Sequence, residues 1–290
     1  MTPPDYEYLR KLLKDHSGLD LSADKQYLIE SRLLPLSRKS GLPGISELVQ
    51  KMKAGSPALI AQVVEAMTTN ETFFFRDKVP FDHFRDSIMP EIIKARAARK
   101  SIRIWCAAGS TGQEPYSLAM CLKEMSGALA GWRVEILATD LSQEVLEKSK
   151  AGVYSQFEVQ RGLPIQLLVK YFKQNGELWQ ISPEIRAMVQ HRQLNLLHDF
   201  SPLGTFDVIF CRNVLIYFDQ DTKINIFGRL AKIMEADGFL VLGAAETVVG
   251  LTDVFKPFPD KRGLYRPSGA RAVSAPAATA MPKMAAIAGR

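Results

Sequence analysis

Two features of the chain could hold a nucleoside-like ligand: a run of small residues, Ala107-Ala108-Gly109-Ser110-Thr111-Gly112, and an acid, Asp140, that follows the apolar run Val134 to Ala138 and Thr139. Small residues let a ligand approach the backbone closely, and a carboxylate at the carboxyl edge of a sheet can accept both hydroxyls of a ribose. The glycine spacing does not fit GxGxxG, and no lysine follows as a phosphate-binding GxxxxGK would require, so dinucleotide and ATP readings both weaken. The separation of Gly109 and Asp140 also exceeds the roughly 20 residues usual in nicotinamide enzymes. A tight strand-to-helix turn needs glycines for its own sake, and Asp140 could merely cap a helix beginning at Leu141, where Ser142 is a competing cap. Loop and acid together favour an adenosine-containing ligand. His16, His83, His191 and His198 have no ligand spacing, and Cys106, Cys121 and Cys211 are far apart and odd in number, so no metal is expected and a reducing compartment fits best.

Positioning such a site requires a scaffold. From Ser101 onward, short β-rich runs (Ile102 to Cys106, Val134 to Ala138, Val208 to Cys211, Phe239 to Leu242) alternate with helical patterns, which predicts an α/β fold with a parallel, doubly wound sheet. The helix before the last run has Asp219 as a candidate cap and apolar residues at Ile226, Phe227, Leu230, Ile233 and Met234. Between about 153 and 194 the rhythm breaks; Asn175-Gly176 is a type I′ hairpin signal and predicts a small antiparallel β insertion. Before residue 75 the apolar stripes Ile45, Leu48, Val49, Met52 and Leu59, Ile60, Val63, Val64, Met67 have helical spacing, with Ser56-Pro57 as a start and Gly18, Gly41 and Gly55 as stops. The expected organisation is a small all-helical domain at 1–75, a larger domain at 76–266 and a disordered tail at 267–290, which is rich in Ala, Ser, Pro and Gly. At 290 residues and 47% hydrophobic content the chain can bury two cores. Its start carries no signal-peptide pattern, and its most apolar stretch, Gly238 to Leu251, contains Glu246 and is short of the roughly 20 residues of a membrane span.

Two further segments are more specific: Thr69-Asn70-Glu71-Thr72-Phe73-Phe74-Phe75-Arg76-Asp77 and Phe206-Asp207-Val208-Ile209-Phe210-Cys211-Arg212-Asn213-Val214-Leu215-Ile216-Tyr217-Phe218. Both resemble signatures of the chemotaxis receptor methyltransferase (CheR) family. The resemblance extends over roughly residues 5 to 266 as an ordered series: helical domain, N-x-T-x-F-F-R segment, glycine loop, acid, hairpin insertion, Asn195-Leu196 pair, and C-R-N-V-L-I-Y-F. It implies a Rossmann-like methyltransferase sheet, S-adenosylmethionine as methyl donor and S-adenosylhomocysteine as product. It further implies that Asn70, Thr72, Arg76, Glu114, Asp140, Asn195, Leu196, Arg212 and Asn213 line the cofactor site, with Tyr217 near the transferred methyl. Arg76 would neutralise a carboxylate, Glu114 would meet the methionyl ammonium, Asp140 the ribose, and Asn195 with Leu196 the adenine. Packing between domains accounts equally well for Phe73 to Phe75, and a strand-end turn for Arg212 and Asn213.

The acceptor implied by the resemblance is glutamate on the helical cytoplasmic domain of a chemoreceptor. A glutamate with a pKa near 4.3 is ionised at pH 7, so attack on a sulfonium methyl needs no general base. The net charge of +6 suits an anionic partner. Lys25, Arg32, Arg38 and Lys39 could present a basic face to an acidic receptor helix, although a solvated helix surface is the usual meaning of such charges. Some members of the family grip a receptor C-terminal pentapeptide with the hairpin insertion. The tip here, Lys173 to Trp179, is shorter than the glycine-rich tips of those members, so no tight pentapeptide binding is expected. The alternatives are a receptor-binding adaptor with weak catalysis and, lower, a nucleic-acid methyltransferase, for which the Asn/Asp-Pro-Pro-aromatic motif is missing. The expected setting is the cytoplasm, with recruitment to receptor arrays at the membrane.

Overall fold

A computed structural model describes residues 1–269. The first four helices are α1 (Pro3–Ser17), α2 (Gln26–Lys39), α3 (Ile45–Lys53) and α4 (Pro57–Met67). They enclose a core of their own in which Leu9, Leu13, Ile29, Leu33, Leu48, Val49 and Val63 are fully buried. Thr2 and Asp5 start α1 as a capping box, which satisfies backbone donors that a helix end leaves free. Gly18 stops it at φ +78°, where a Cβ would also lie 2.8 Å from the Phe218 ring. Ser56 occupies the N-cap position of α4 as the sequence suggests, but its side chain makes no capping bond.

A transition of short helices follows: α5 (Val79–His83), a π-turn (Phe84–Ile88) and α6 (Met89–Ala95). The chain then alternates: β1 (Ser101–Cys106), α7 (Gln113–Glu124), β2 (Arg133–Asp140), α8 (Gln143–Ala151), β3 (Val153–Ser155), α9 (Gln156–Gln160), α10 (Ile165–Tyr171), β4 (Phe172–Asn175), β5 (Leu178–Ile181), α11 (Pro183–Arg186), β6 (Val189–Gln193), β7 (Phe206–Cys211), α12 (Gln220–Lys232), β8 (Met234–Leu242), β9 (Phe255–Pro257) and β10 (Leu264–Pro267). The main sheet runs β6-β2-β1-β7-β8-β10-β9, with the first five strands parallel and β10 and β9 antiparallel. Every residue of β7 is buried, as a central parallel strand covered on both faces requires. Asp219 caps α12 by accepting from the Thr222 N–H at 2.8 Å, as the sequence suggests.

Strand β8 begins at Met234 rather than Phe239, because Met234 pairs with Phe206 ahead of an irregularity between Phe206 and Val208. The insertion is a three-stranded antiparallel sheet, β3-β5-β4. Its hairpin differs from the type I′ expectation. Asn175 stays in the ladder opposite Leu178, so the loop is Gly176-Glu177, and of these only Gly176 has a positive φ, the pattern of a II′ turn. At the other end the main sheet reaches Pro267, and Ser268 N donates to Val254 O at 2.9 Å; residues 270–290 of the expected tail lie outside the described residues.

The helical unit is tied to the carboxyl edge of the sheet by polar contacts. Lys14 pairs with Asp219 at 2.6 Å, and Asp20 N donates to Tyr217 O at 2.9 Å. The Glu65 carboxylate, on α4, accepts from the Ser142 hydroxyl and from the N–H groups of Gln143 and Glu144, the latter two at 3.3 Å. A helix N-terminus carries partial positive charge, so this carboxylate is well placed over the start of α8.

Candidate active site

A cleft opens where the carboxyl ends of β1, β2 and β7 meet the segment that leaves α4. Asn70, Thr72, Arg76, Glu114, Asp140, Asn195, Leu196, Arg212, Asn213 and Tyr217 all line it, so residues spread over much of the sequence are brought to one place. No histidine lines it.

Within the small-residue loop the two glycines are needed by the turn and its packing. A Cβ on Gly109 would lie 3.1 Å from the Ala138 Cβ, and one on Gly112 would lie 2.4 Å from Ser149 Oγ and 2.9 Å from Tyr116 and Tyr154 atoms. Both glycines serve packing, and Gly112 also needs its φ of +98°. Ala107, Ala108 and Ser110 are the loop residues that face the cleft.

Asp140 ends β2 and is not the cap of α8; Ser142 is, accepting from Val145 N at 3.2 Å. The Asp140 carboxylate instead accepts from Ser110 N at 2.9 Å and Ser142 N at 3.0 Å, locking the glycine loop to the β2 end. Each oxygen keeps further lone pairs for a ligand hydroxyl. Burial pushes the Asp140 carboxyl above the usual carboxylate range, opposed by those two N–H groups. Protonation would turn an acceptor into a donor, so ligand affinity should fall as the solution is acidified, beginning above the ordinary 3.8. The sign is opposite for the ligand-free fold, because a carboxyl whose pKa is raised by folding gives up stability as pH rises through the window between the two values. Calorimetric titration of S-adenosylhomocysteine at successively lower pH should therefore show affinity falling once the Asp140 carboxyl takes up a proton. In Asp140→Asn the Asp140 contribution to that slope should vanish.

Arg212 is the most buried charged group of the cleft. It donates to Glu114 Oε2 at 2.7 Å, Asp77 Oδ2 at 2.8 Å and the Arg76 carbonyl at 2.9 Å, with its side chain 1% exposed. It is thus much more than a strand-end turn. Burial raises the Glu114 carboxyl and the Arg212 charge opposes that shift. Asn213 follows with a left-handed φ of +58°.

Arg76 donates to the Glu71 carbonyl at 2.6 Å and sits 5.6 Å from the Phe73 ring centroid; it forms no ion pair among the described residues. A second cation near that ring is Arg161, at 4.3 Å, which also pairs with the Glu71 carboxylate at 2.7 Å. Phe74 is fully buried, making edge contacts with Tyr154 and Phe172, so this part of the aromatic run is packing. The Asn195 amide donates to His16 O at 2.6 Å and accepts from Leu197 N at 3.0 Å, which leaves a second N–H and a lone pair toward the cleft that the residue lines. Its side chain joins α1 to the loop after β6, while Leu196 supplies an apolar wall.

The four basic residues at the start of α2 and along it divide. Arg32 turns inward, donating to Met67 O at 2.6 Å, Thr68 O at 3.0 Å and Thr69 Oγ1 at 2.9 Å, and so it ties α2 to the end of α4. Lys25 lies beside Asp24 at 3.7 Å, whereas Arg38 and Lys39 are exposed. The sequence gives no individual role to Asp77, Ser110, Arg161 or Glu65. Asp77 and Ser110 lie within quoted motifs, whereas Arg161 and Glu65 have no local pattern to mark them.

Residues 70–264 match the family described as "CheR methyltransferase, SAM binding domain", and residues 4–68 match "CheR methyltransferase, all-alpha domain". The chain is 42% identical over 256 residues to "Chemotaxis protein methyltransferase 1" of Pseudomonas aeruginosa, a match covering 87% of this chain and 93% of that protein. It is 40% identical over 257 residues to "Chemotaxis protein methyltransferase Cher2" of Pseudomonas putida, with the same coverage of 87% and 93%. Against "Chemotaxis protein methyltransferase" of Borreliella burgdorferi the identity is 34% over 256 residues, covering 86% and 90%. The chain belongs to the CheR methyltransferase family, and its cofactor is S-adenosylmethionine.

Proposed function

We propose that the chain transfers the methyl group of S-adenosylmethionine to glutamate side chains on the helical cytoplasmic domain of chemoreceptors, giving glutamyl methyl esters and S-adenosylhomocysteine. The observation that carries this reading is the make-up of the cleft, which gathers Asp140, the Arg212–Glu114 pair, Arg76 and Tyr217 with no histidine among them. An acceptor already ionised at neutral pH suits a site without a general base.

The residues fit the cofactor. Asp140 would take the ribose hydroxyls, and Leu141, Leu196 and Val214 offer apolar surface for the adenine. Arg212 Nε is buried and has no partner within the described protein, which leaves a donor for a ligand carboxylate. The second oxygen of Glu114 is the one to meet an ammonium, since Oε2 is held by Arg212. When bound, S-adenosylmethionine supplies a methyl group made electrophilic by its sulfonium. Arg76, with guanidinium donors beyond the one given to Glu71, would hold a carboxylate, and Tyr217 would orient the reacting oxygen by hydrogen bonding. Attack by an anion on a cation cancels charge, so a dry, aligned site helps more than added polar groups.

The helical unit, about residues 1–75, would recognise the receptor. Lys25, Arg38 and Lys39 remain available to an acidic helix, while Arg32 acts mainly within the protein; association would then weaken with salt. The two-residue hairpin loop Gly176-Glu177 supports the reading that no receptor pentapeptide is tightly held. Among the described residues no helix is long and apolar enough to cross a membrane. The proposed setting is the cytoplasm, at receptor arrays.

The test is transfer of radiolabelled methyl from S-adenosylmethionine to a panel of purified receptor cytoplasmic domains, followed by mild alkali. Alkali-labile label that is lost in Arg76→Ala and reduced in Tyr217→Phe is expected. Alkali-stable label would move the acceptor away from carboxylates, and cofactor binding without any labelling would favour a receptor-binding adaptor.

A further inference from the structure

Glu246 lies in the loop after β8, is 8% exposed, and forms no ion pair among the described residues. Its carboxylate is nonetheless saturated. Oε2 accepts from Asn213 N at 2.8 Å and Gly243 N at 2.7 Å, and Oε1 accepts from Val214 N at 2.9 Å and Leu215 N at 2.8 Å. Three of these four donors are consecutive residues of the turn that leaves β7, and the fourth, Gly243, directly follows β8. Converging backbone N–H groups of this kind form a concavity that binds an anion, and here the anion is part of the chain.

We infer that Glu246 is a positioning residue for the methyl-transfer site: it fixes the turn that carries Arg212, Asn213, Val214 and Tyr217 into the cleft. Asn213 turns the chain with a left-handed φ of +58°, which asparagine tolerates better than most non-glycine residues, and the Glu246 carboxylate holds that turn through the N–H groups of Asn213, Val214 and Leu215. Space is equally tight: a Cβ on Gly243 would lie 2.8 Å from the Glu246 carboxylate and 2.9 Å from Asn213 Nδ2. Four of the cleft-lining residues therefore depend on one carboxylate that does not itself line it.

Glutamine cannot substitute. Because each oxygen accepts two N–H groups, either orientation of an amide points its NH₂ at two donors. The inference rests on the cofactor site described above, and its test uses S-adenosylhomocysteine binding, which does not depend on the identity of the acceptor. In Glu246→Gln, at a temperature where circular dichroism shows the folded protein, the dissociation constant for S-adenosylhomocysteine should rise about tenfold or more. With an active receptor substrate, kcat should fall as well at saturating cofactor. Glu246→Asp, which keeps the charge but not the reach, should lie between the two and provides the measurement if the glutamine variant does not fold. A role confined to stability would lower the melting temperature and leave the affinity of the folded fraction unchanged; affinity and kcat within about twofold of wild type in the folded variant would overturn the inference. Wild-type protein that binds S-adenosylhomocysteine but labels no receptor would count against the acceptor, leaving the binding comparison for Glu246 intact.

Discussion

Arg212→Ala should abolish measurable methyl transfer and cost about 3–5 kcal/mol of stability, because it leaves the Glu114 carboxylate buried without its counter-charge. Asp77, the second partner, is 38% exposed and can be rehydrated, so most of the cost falls on Glu114. At roughly 2–4 °C per kcal/mol for a domain of this size, the melting temperature should drop by about 10 °C. Lysine should not rescue it, since one ammonium cannot reach Glu114, Asp77 and the Arg76 carbonyl with the directed geometry of a guanidinium. The double variant Arg212→Ala/Glu114→Ala separates the two effects. Removing both charges should recover much of the lost melting temperature while S-adenosylhomocysteine affinity stays low. Recovery of affinity along with stability would show that Arg212 acts only on the fold.

Gly162→Ala should be the most damaging glycine-to-alanine exchange among the described residues. Gly162 has φ +84°, and a Cβ there would lie 2.1 Å from the Phe74 carbonyl oxygen and 3.1 Å from the Phe73 ring. The obstructing atom is backbone, so relief requires moving the segment Asn70 to Asp77, which lines the cleft and carries Arg76. Conformational strain of about 1–2 kcal/mol adds to an overpacking cost of about 1–3 kcal/mol. Gly176→Ala is the matched control, with φ +61° and nothing within 4 Å of the added Cβ. It should lose only the conformational part, and the difference in melting temperature between the two variants measures the clash. S-adenosylhomocysteine affinity should fall in Gly162→Ala and be unaffected in Gly176→Ala, since the hairpin loop does not line the cleft.

By itself the sequence determined the scaffold and most of the ring of cleft residues. Strand and helix periods are local properties, so the parallel strands, the helical unit and the β insertion were legible from spacing. Asn70, Thr72, Arg76, Glu114, Asp140, Arg212, Asn213 and Tyr217 were legible because they sit in or beside contiguous motifs. Only the tertiary structure decided what those residues do for one another. Gly109 and Gly112 look like a ligand loop, yet their missing side chains make room for Ala138, Ser149 and Tyr154. Arg32 belongs to a basic surface in the sequence but closes onto the end of α4 in the fold. Asn195 lines the cleft, and its amide also joins α1, a contact that no local pattern shows. Glu65, Arg161 and Glu246 bear on the site from far along the chain, through Ser142, Glu71 and the β7 turn. A carboxylate or guanidinium that will be surrounded by backbone donors or paired with a distant charge has the same local sequence as a solvated one. The difference arises when long-range packing removes water from it, and that depends on partners that no local pattern encodes.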